Sequence, residues 1–256
     1  MGDSSDHFPP PGKAPGKASR KAPSSSPEPA AEPPHHLGHR ERLRQRFLAG
    51  GPEALADYEL LELILFGAHA RGDTKPLAKR LLAHFKGDFA ELIAADPAAL
   101  RRIDGAGDAS IAMLKAIHAA ATHLARTRIA DKTVIGSWSQ LLDYCQVQLA
   151  RAPVERFHVL FLDRKSVLIA DEELNRGTVD HTPVYPREIV KRALELNASA
   201  LIVVHNHPSG DPTPSQADIA MTREIQRATA AIGVTLHDHL VIGRAGHASF
   251  KGLGLL

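Results

Sequence analysis

The sequence has a single cysteine, Cys145, among 256 residues. No intrachain disulfide can form, and any metal site must be built without a thiolate cluster. A buried bystander is the expected role of that thiol. Long apolar runs are missing as well. The longest, such as 198–204, are too short to span a bilayer as a helix, so no membrane partner is expected. The opening Met-Gly-Asp-Ser-Ser is not followed by the apolar core of a signal peptide, and the expectation is a cytoplasmic protein. Excess charge is lacking too. Lys and Arg total 31 against 29 Asp and Glu, a net charge of +2, which is too small to announce nucleic-acid binding by itself. No internal repeat is evident. What is present, 43% apolar and 23% charged residues, is ordinary globular composition in a chain long enough for one or two sizeable cores.

Three parts follow one another. Residues 1–39 hold nine of the 18 prolines with Ser, Ala, Gly and Lys, and no apolar periodicity, the composition of a disordered tail. His35, His36 and His39 within it read as solvated. Over 40–128 the apolar residues recur at helical spacing: Leu55, Leu60, Leu61, Ile64 and Leu65; then Leu77, Leu81, Leu82 and Phe85; then Phe89, Leu92 and Ile93. Short Gly and Asp-Pro breaks between them predict a small helical domain. After a linker near 129–136, residues 134–256 predict an α/β domain. It has a helix over 138–149, a hairpin of 157–162 with 167–169, an extended stretch near 177–184, and a helix over 186–196. A buried strand ending at His205, a helix over 215–232 and a strand over 234–242 complete it.

The chemistry concentrates where that buried strand ends. His205 and His207, at i and i+2 of an extended chain, project from one face and can reach one ion. Pro208, Gly210, Pro212 and Pro214 turn the chain. Ser215 reads as the cap of a new helix, with Asp218 in its first turn. Two imidazole nitrogens and one carboxylate oxygen, with the fourth position open to water, form the ligand set of a catalytic Zn2+ site. Ser-Gln-Ala-Asp is also a capping box, which accounts for Ser215 and Asp218 without any metal.

The wording HNHPSGDPTPSQAD, with ten residues between His207 and Asp218, resembles the JAMM motif of MPN-type metalloproteases. The longer stretch PREIVKRALELNASALIVVHNHPSGDPTPSQAD and the later DHLVIG are similar to the bacterial RadC family, a likeness running from Arg40 to the C-terminus. The resemblance implies an MPN/JAMM-like α/β sandwich, with His205, His207 and Asp218 binding zinc and Ser215 helping to hold a tetrahedral intermediate. It also implies an upstream glutamate that moves the proton, placed just before an apolar strand. Glu155 fits that position, and Glu172, Glu173 and Glu188 compete with it. Glu188 follows Pro186 at a helix start, where a carboxylate is favoured anyway.

Two further motifs are weaker. Leu100 to Gly107, followed by Ile111, Leu114, Lys115 and Ile117, resembles a helix-hairpin-helix, whose glycines let backbone N–H groups approach a DNA phosphate. Asp104 and Asp108 flank that turn with the wrong charge, and Arg101, Arg102, Lys115, Arg126 and Arg128 could compensate. His237-Asp238-His239 looks like a second metal site but lies outside the JAMM ligand set; Asp238 could instead orient a ligating imidazole. The leading expectation is a zinc-dependent amide or isopeptide hydrolase acting on an unnamed peptide or isopeptide-like substrate. The alternative is a DNA-associated repair accessory protein, binding DNA weakly and without sequence preference, whose metal domain is not catalytic. A metal-dependent nuclease is the third reading.

Overall fold

The computed structural model describes residues 35–129, 133–176 and 184–256. The tail through residue 34 and most of the extended stretch expected near 177–184 lie outside the described residues. The first helix, α1 (His35–Gly50), begins inside the segment read as tail. His39 on it is not simply solvated: its Nε2 lies 3.3 Å from the buried carboxylate of Glu62.

The helical region continues with α2 (Asp57–Leu65), α3 (Lys75–His84), α4 (Phe89–Ala94), α5 (Pro97–Arg101) and the long α6 (Asp108–Thr127). Asp88 and Asp96 cap α4 and α5 by accepting from Glu91 N and Ala98 N, satisfying amides that a helix start leaves unpaired. The apolar stripes meet as expected: Leu61, Leu65, Leu81, Leu92, Leu100, Ile111 and Leu114 pack into one core.

Next come α7 (Trp138–Leu149), β1 (Arg156–Leu162), β2 (Leu168–Arg176), α8 (Pro186–Glu195), β3 (Ala200–Asn206), α9 (Gln216–Ala230), β4 (Thr235–Gly243) and β5 (Gly246–Ser249). The strands form one sheet in the order β2-β1-β3-β4-β5, with β3 and β4 parallel and the other pairs antiparallel. Every residue of β3 is buried, because helices cover both faces; that is why it reads as a continuous apolar run rather than an alternation. Leu160, Leu162, Ile202, Val204, Leu240 and Ile242 pack on one face against α7. Phe157, Val159, Phe161, Leu201 and Val203 pack on the other against Ile189 of α8 and Ile225 of α9.

The α7 face holds Cys145, whose thiol burial pushes well above its ordinary pKa. Beside it lies a polar cluster in which the Tyr144 hydroxyl donates to Asp171, while His158 Nδ1 sits 2.9 Å from the same carboxylate. His205 continues the parity of Leu201 and Val203, so its imidazole emerges on the α9 face at the end of β3.

Candidate metal centre

After β3 the chain is held against β4. His207 N donates to Ile242 O (3.0 Å) and Arg244 N to Gly210 O (3.1 Å). Gly210 takes φ +93°, and a Cβ on Gly243 would lie 2.3 Å from Gly210 O, so this close approach excludes a side chain there. The turn delivers the chain to Ser215, which caps α9. Ser215 Oγ accepts from Asp218 N (3.1 Å) and donates to Asp218 Oδ2 (2.7 Å), and Ser215 N donates to the same oxygen (2.7 Å). The capping box anticipated as a structural explanation is therefore present, and it also aims the Asp218 carboxylate back at β3. Loss of such a cap costs about 1 kcal/mol, so Ser215 substitutions need a stability control.

His205, His207 and Asp218 come together. Their Nε2 atoms are 3.1 Å apart, and each is 3.4 Å from a carboxylate oxygen of Asp218. Among the described residues this is the one group of three or more His, Cys, Asp or Glu placed to hold a metal ion.

The protons on these rings can be assigned from their partners. His207 Nδ1 lies 2.8 Å from Asp211 O, a carbonyl that can only accept, so the proton sits on Nδ1. His205 Nδ1 is 2.7 Å from His239 Nε2, and His239 Nδ1 is 2.6 Å from Thr222 Oγ1. Thr222 in turn donates to Asp218 O (2.5 Å). Because that last acceptor is a carbonyl, the chain runs in one direction, and His205 also carries its proton on Nδ1. Both Nε2 lone pairs and a carboxylate thus converge with no donor hydrogen among them, an arrangement that a cation satisfies.

The electrostatics agree. Burial pushes His205 down to about 4, against the opposing charge of Asp218, so its ring stays neutral. Burial and neighbouring His205 likewise hold His239 well below the ordinary histidine value. His207 is raised, first by the hydrogen bond its protonated ring would donate from Nε2 to Asp218 and, against desolvation, by the Asp211 carbonyl and the charges of Asp218 and Glu155. Desolvation would raise Asp218, but His207, His205 and Ser215 together hold it far below the usual carboxylate range.

Glu155 sits just before β1, half-buried, near enough for its charge to act on His207. The competing glutamates are engaged elsewhere. Glu172 is bonded by Arg192 at 2.7 to 2.9 Å. Glu173 lies 3.5 Å from His158, and Glu188 is exposed in the first turn of α8, 3.5 Å from Arg187.

Asp238 does not orient an imidazole ligand. Its carboxylate accepts from Ser249 Oγ, Lys251 N and His239 N on the α7 side of the sheet. His239 holds His205 instead; the sequence gives a strand histidine such as this a packing or supporting role but does not say which ring it meets. A bulge explains the exchange: the β3–β4 register pairs Leu201 with Leu236 but Ile202 with Asp238, leaving His237 unpaired. The inserted residue inverts the facing of everything after it.

In the helical region, Gly105 takes φ +83° in the expected turn, whereas Gly107 is an extended cap of α6. Two of the compensating cations are committed. Arg101 pairs with Asp108 (3.0 Å), and Lys115 donates to the Ile93, Ala94 and Ala95 carbonyls at the end of α4.

Comparison with known proteins places these parts. A family model described as a RadC-like JAB domain matches residues 135–255, and one described as a UPF0758 N-terminal region matches residues 35–112. A UPF0758 protein of Rhodobacter capsulatus is 63% identical over 214 residues, covering 84% of this chain and 100% of the relative. Another, from Ruegeria pomeroyi, is 58% identical over 218 residues, covering 85% and 97%. Among the described residues no helix is long and apolar enough to cross a membrane.

Proposed function

We propose that this chain, which belongs to the UPF0758 family and carries its RadC-like JAB domain, is a zinc-dependent hydrolase of amide or isopeptide bonds. One observation carries the reading: two Nε2 lone pairs and a carboxylate converge at separations of 3.1 to 3.4 Å. Ligands bonded at the usual zinc distances in a tetrahedron stand about 3.3 Å apart. With three protein ligands the fourth position is open, as hydrolysis requires. A zinc ion there would polarise a scissile carbonyl and lower the pKa of water. Glu155 would accept the proton of the attacking water on its carboxylate and deliver it to the leaving amine. Ser215, one hydrogen bond from Asp218, would turn its hydroxyl toward the carbonyl oxygen as negative charge develops there.

The test is to incubate the zinc-saturated chain with peptide and isopeptide-linked libraries and read the products by mass spectrometry. Cleavage that disappears on chelation and in His207→Ala is expected. Libraries left intact at full zinc occupancy would sink the hydrolase reading.

A second reading, weak DNA association by the helical domain, is favoured by the turn itself. Residues Arg101 to Gly107 line one open depression at the surface, with both arginines exposed. Fluorescence anisotropy on duplex DNA should then show binding that weakens with salt and falls in Arg101→Glu/Arg102→Glu. A flat titration at low salt leaves the turn purely structural.

A further inference from the structure

Between the two histidines stands Asn206, and the motif's chemistry has no use for it. Its side chain is fully buried. It lies on the opposite side of β3 from His205, and its amide is bonded to the segment leading into β1. Oδ1 accepts from Arg156 N (2.9 Å), while Nδ2 donates to Val154 O (3.2 Å) and Ala152 O (3.4 Å). The one N–H and two carbonyls also fix which way the amide points, since a flipped amide would meet like with like.

The strand register shows what these bonds accomplish. β1 and β3 pair antiparallel from Leu162↔Ala200 to Phe157↔His205. Continued by two residues, that register sets residue 155 across from His207. The ladder stops at Phe157, and His207 N turns away to Ile242 O on β4. At that point the Asn206 amide takes over from the ladder and bonds the backbone on both sides of Glu155.

We propose that Asn206 is a positioning residue that holds Glu155 across from His207, so that one residue triplet, His205-Asn206-His207, sets both the metal ligands and the proton-transferring carboxylate. This rests on the reading of Glu155 given above. The ligands themselves are held by His239, Asp211 and Ser215 and do not depend on Asn206, which separates the two functions.

The full chain loaded with Co2+ tests this without a substrate. The pH at which its visible d–d spectrum changes should move in Glu155→Gln by about half a unit or more, because a charged neighbour of the ion has been neutralised. Asn206→Ala should move it in the same direction, with Co2+ stoichiometry unchanged, and should speed exchange of the Arg156 amide about tenfold or more. Asn206→Ser is the milder variant should Asn206→Ala fail to fold. Added to Glu155→Gln, either Asn206 change should move the titration no further, a non-additivity that a merely structural role would not produce. A titration moved by Glu155→Gln but by neither Asn206 variant overturns the positioning role and leaves Glu155 standing. A titration that Glu155→Gln leaves in place overturns the reading beneath it and the positioning role together.

Discussion

Purified protein should carry about one zinc ion per chain, and His207→Ala should carry none while keeping its helical content. The expectation follows from the ring protonation. Each imidazole has its Nδ1 proton claimed by an acceptor, so each Nε2 is available only to a cation or to a competing proton. His205 stays neutral down to about 4 and Asp218 is ionised throughout the accessible range, which leaves His207 as the ligand that must shed a proton. Its pKa is raised above the ordinary 6.5. Below the folded pKa of His207, zinc affinity should therefore fall about tenfold per pH unit, the slope for one proton released per ion. Above that pKa the affinity should level off. His239→Ala should retain the stoichiometry at saturating metal but weaken affinity by about 10 to 100-fold, the usual effect of losing the group that orients an imidazole ligand. Competition against a zinc chelator over a pH series measures all three effects. Equal zinc in wild type and in His205→Ala/His207→Ala/Asp218→Ala would sink the centre.

The three residues that could hold a metal were legible because each obeys a local rule. His205 and His207 follow the two-residue period of a strand, the prolines and Gly210 announce the turn, and Ser215 with Asp218 spells a helix start. What escaped depends on contacts the chain does not advertise. His239 acts across 34 positions of sequence on His205, and only the bulge at His237 puts it, rather than Asp238, on the correct face. β5 (Gly246–Ser249) has no apolar alternation because it is a four-residue edge strand, held by the ladder to β4 rather than by burial. β2 runs to Arg176, well past the expected 169, since the charged stretch Asp171-Glu172-Glu173 on the sheet edge reads as loop. Asn206 was invisible for a different reason. An asparagine in a motif reads as a turn residue until the register of β1 against β3 shows which backbone it bonds.

Glu155→Gln should keep zinc and fold, because it is not a ligand, while lowering hydrolysis of any accepted substrate by about a hundredfold or more, the scale of a general acid–base group. Three carboxylates stood as competitors, and the structure separates them by what they already hold. Glu172 is clamped by the Arg192 guanidinium on α8, so Glu172→Gln should act through the stability of that edge and leave turnover of the folded fraction near wild type. Glu188 is exposed at the start of α8 beside Arg187, and Glu188→Gln should change neither rate nor zinc content. Glu155 alone of the four carboxylates acts on His207 in the electrostatics of the site, and Gln keeps its shape while removing the proton-accepting oxygen. The comparison must be made at matched zinc occupancy and below substrate saturation, where the loss reports transition-state stabilisation rather than binding. Full activity in Glu155→Gln with loss in Glu188→Gln would reassign the proton transfer to a carboxylate exposed in the first turn of α8, and the amide or isopeptide hydrolase reading would have to be rebuilt around it.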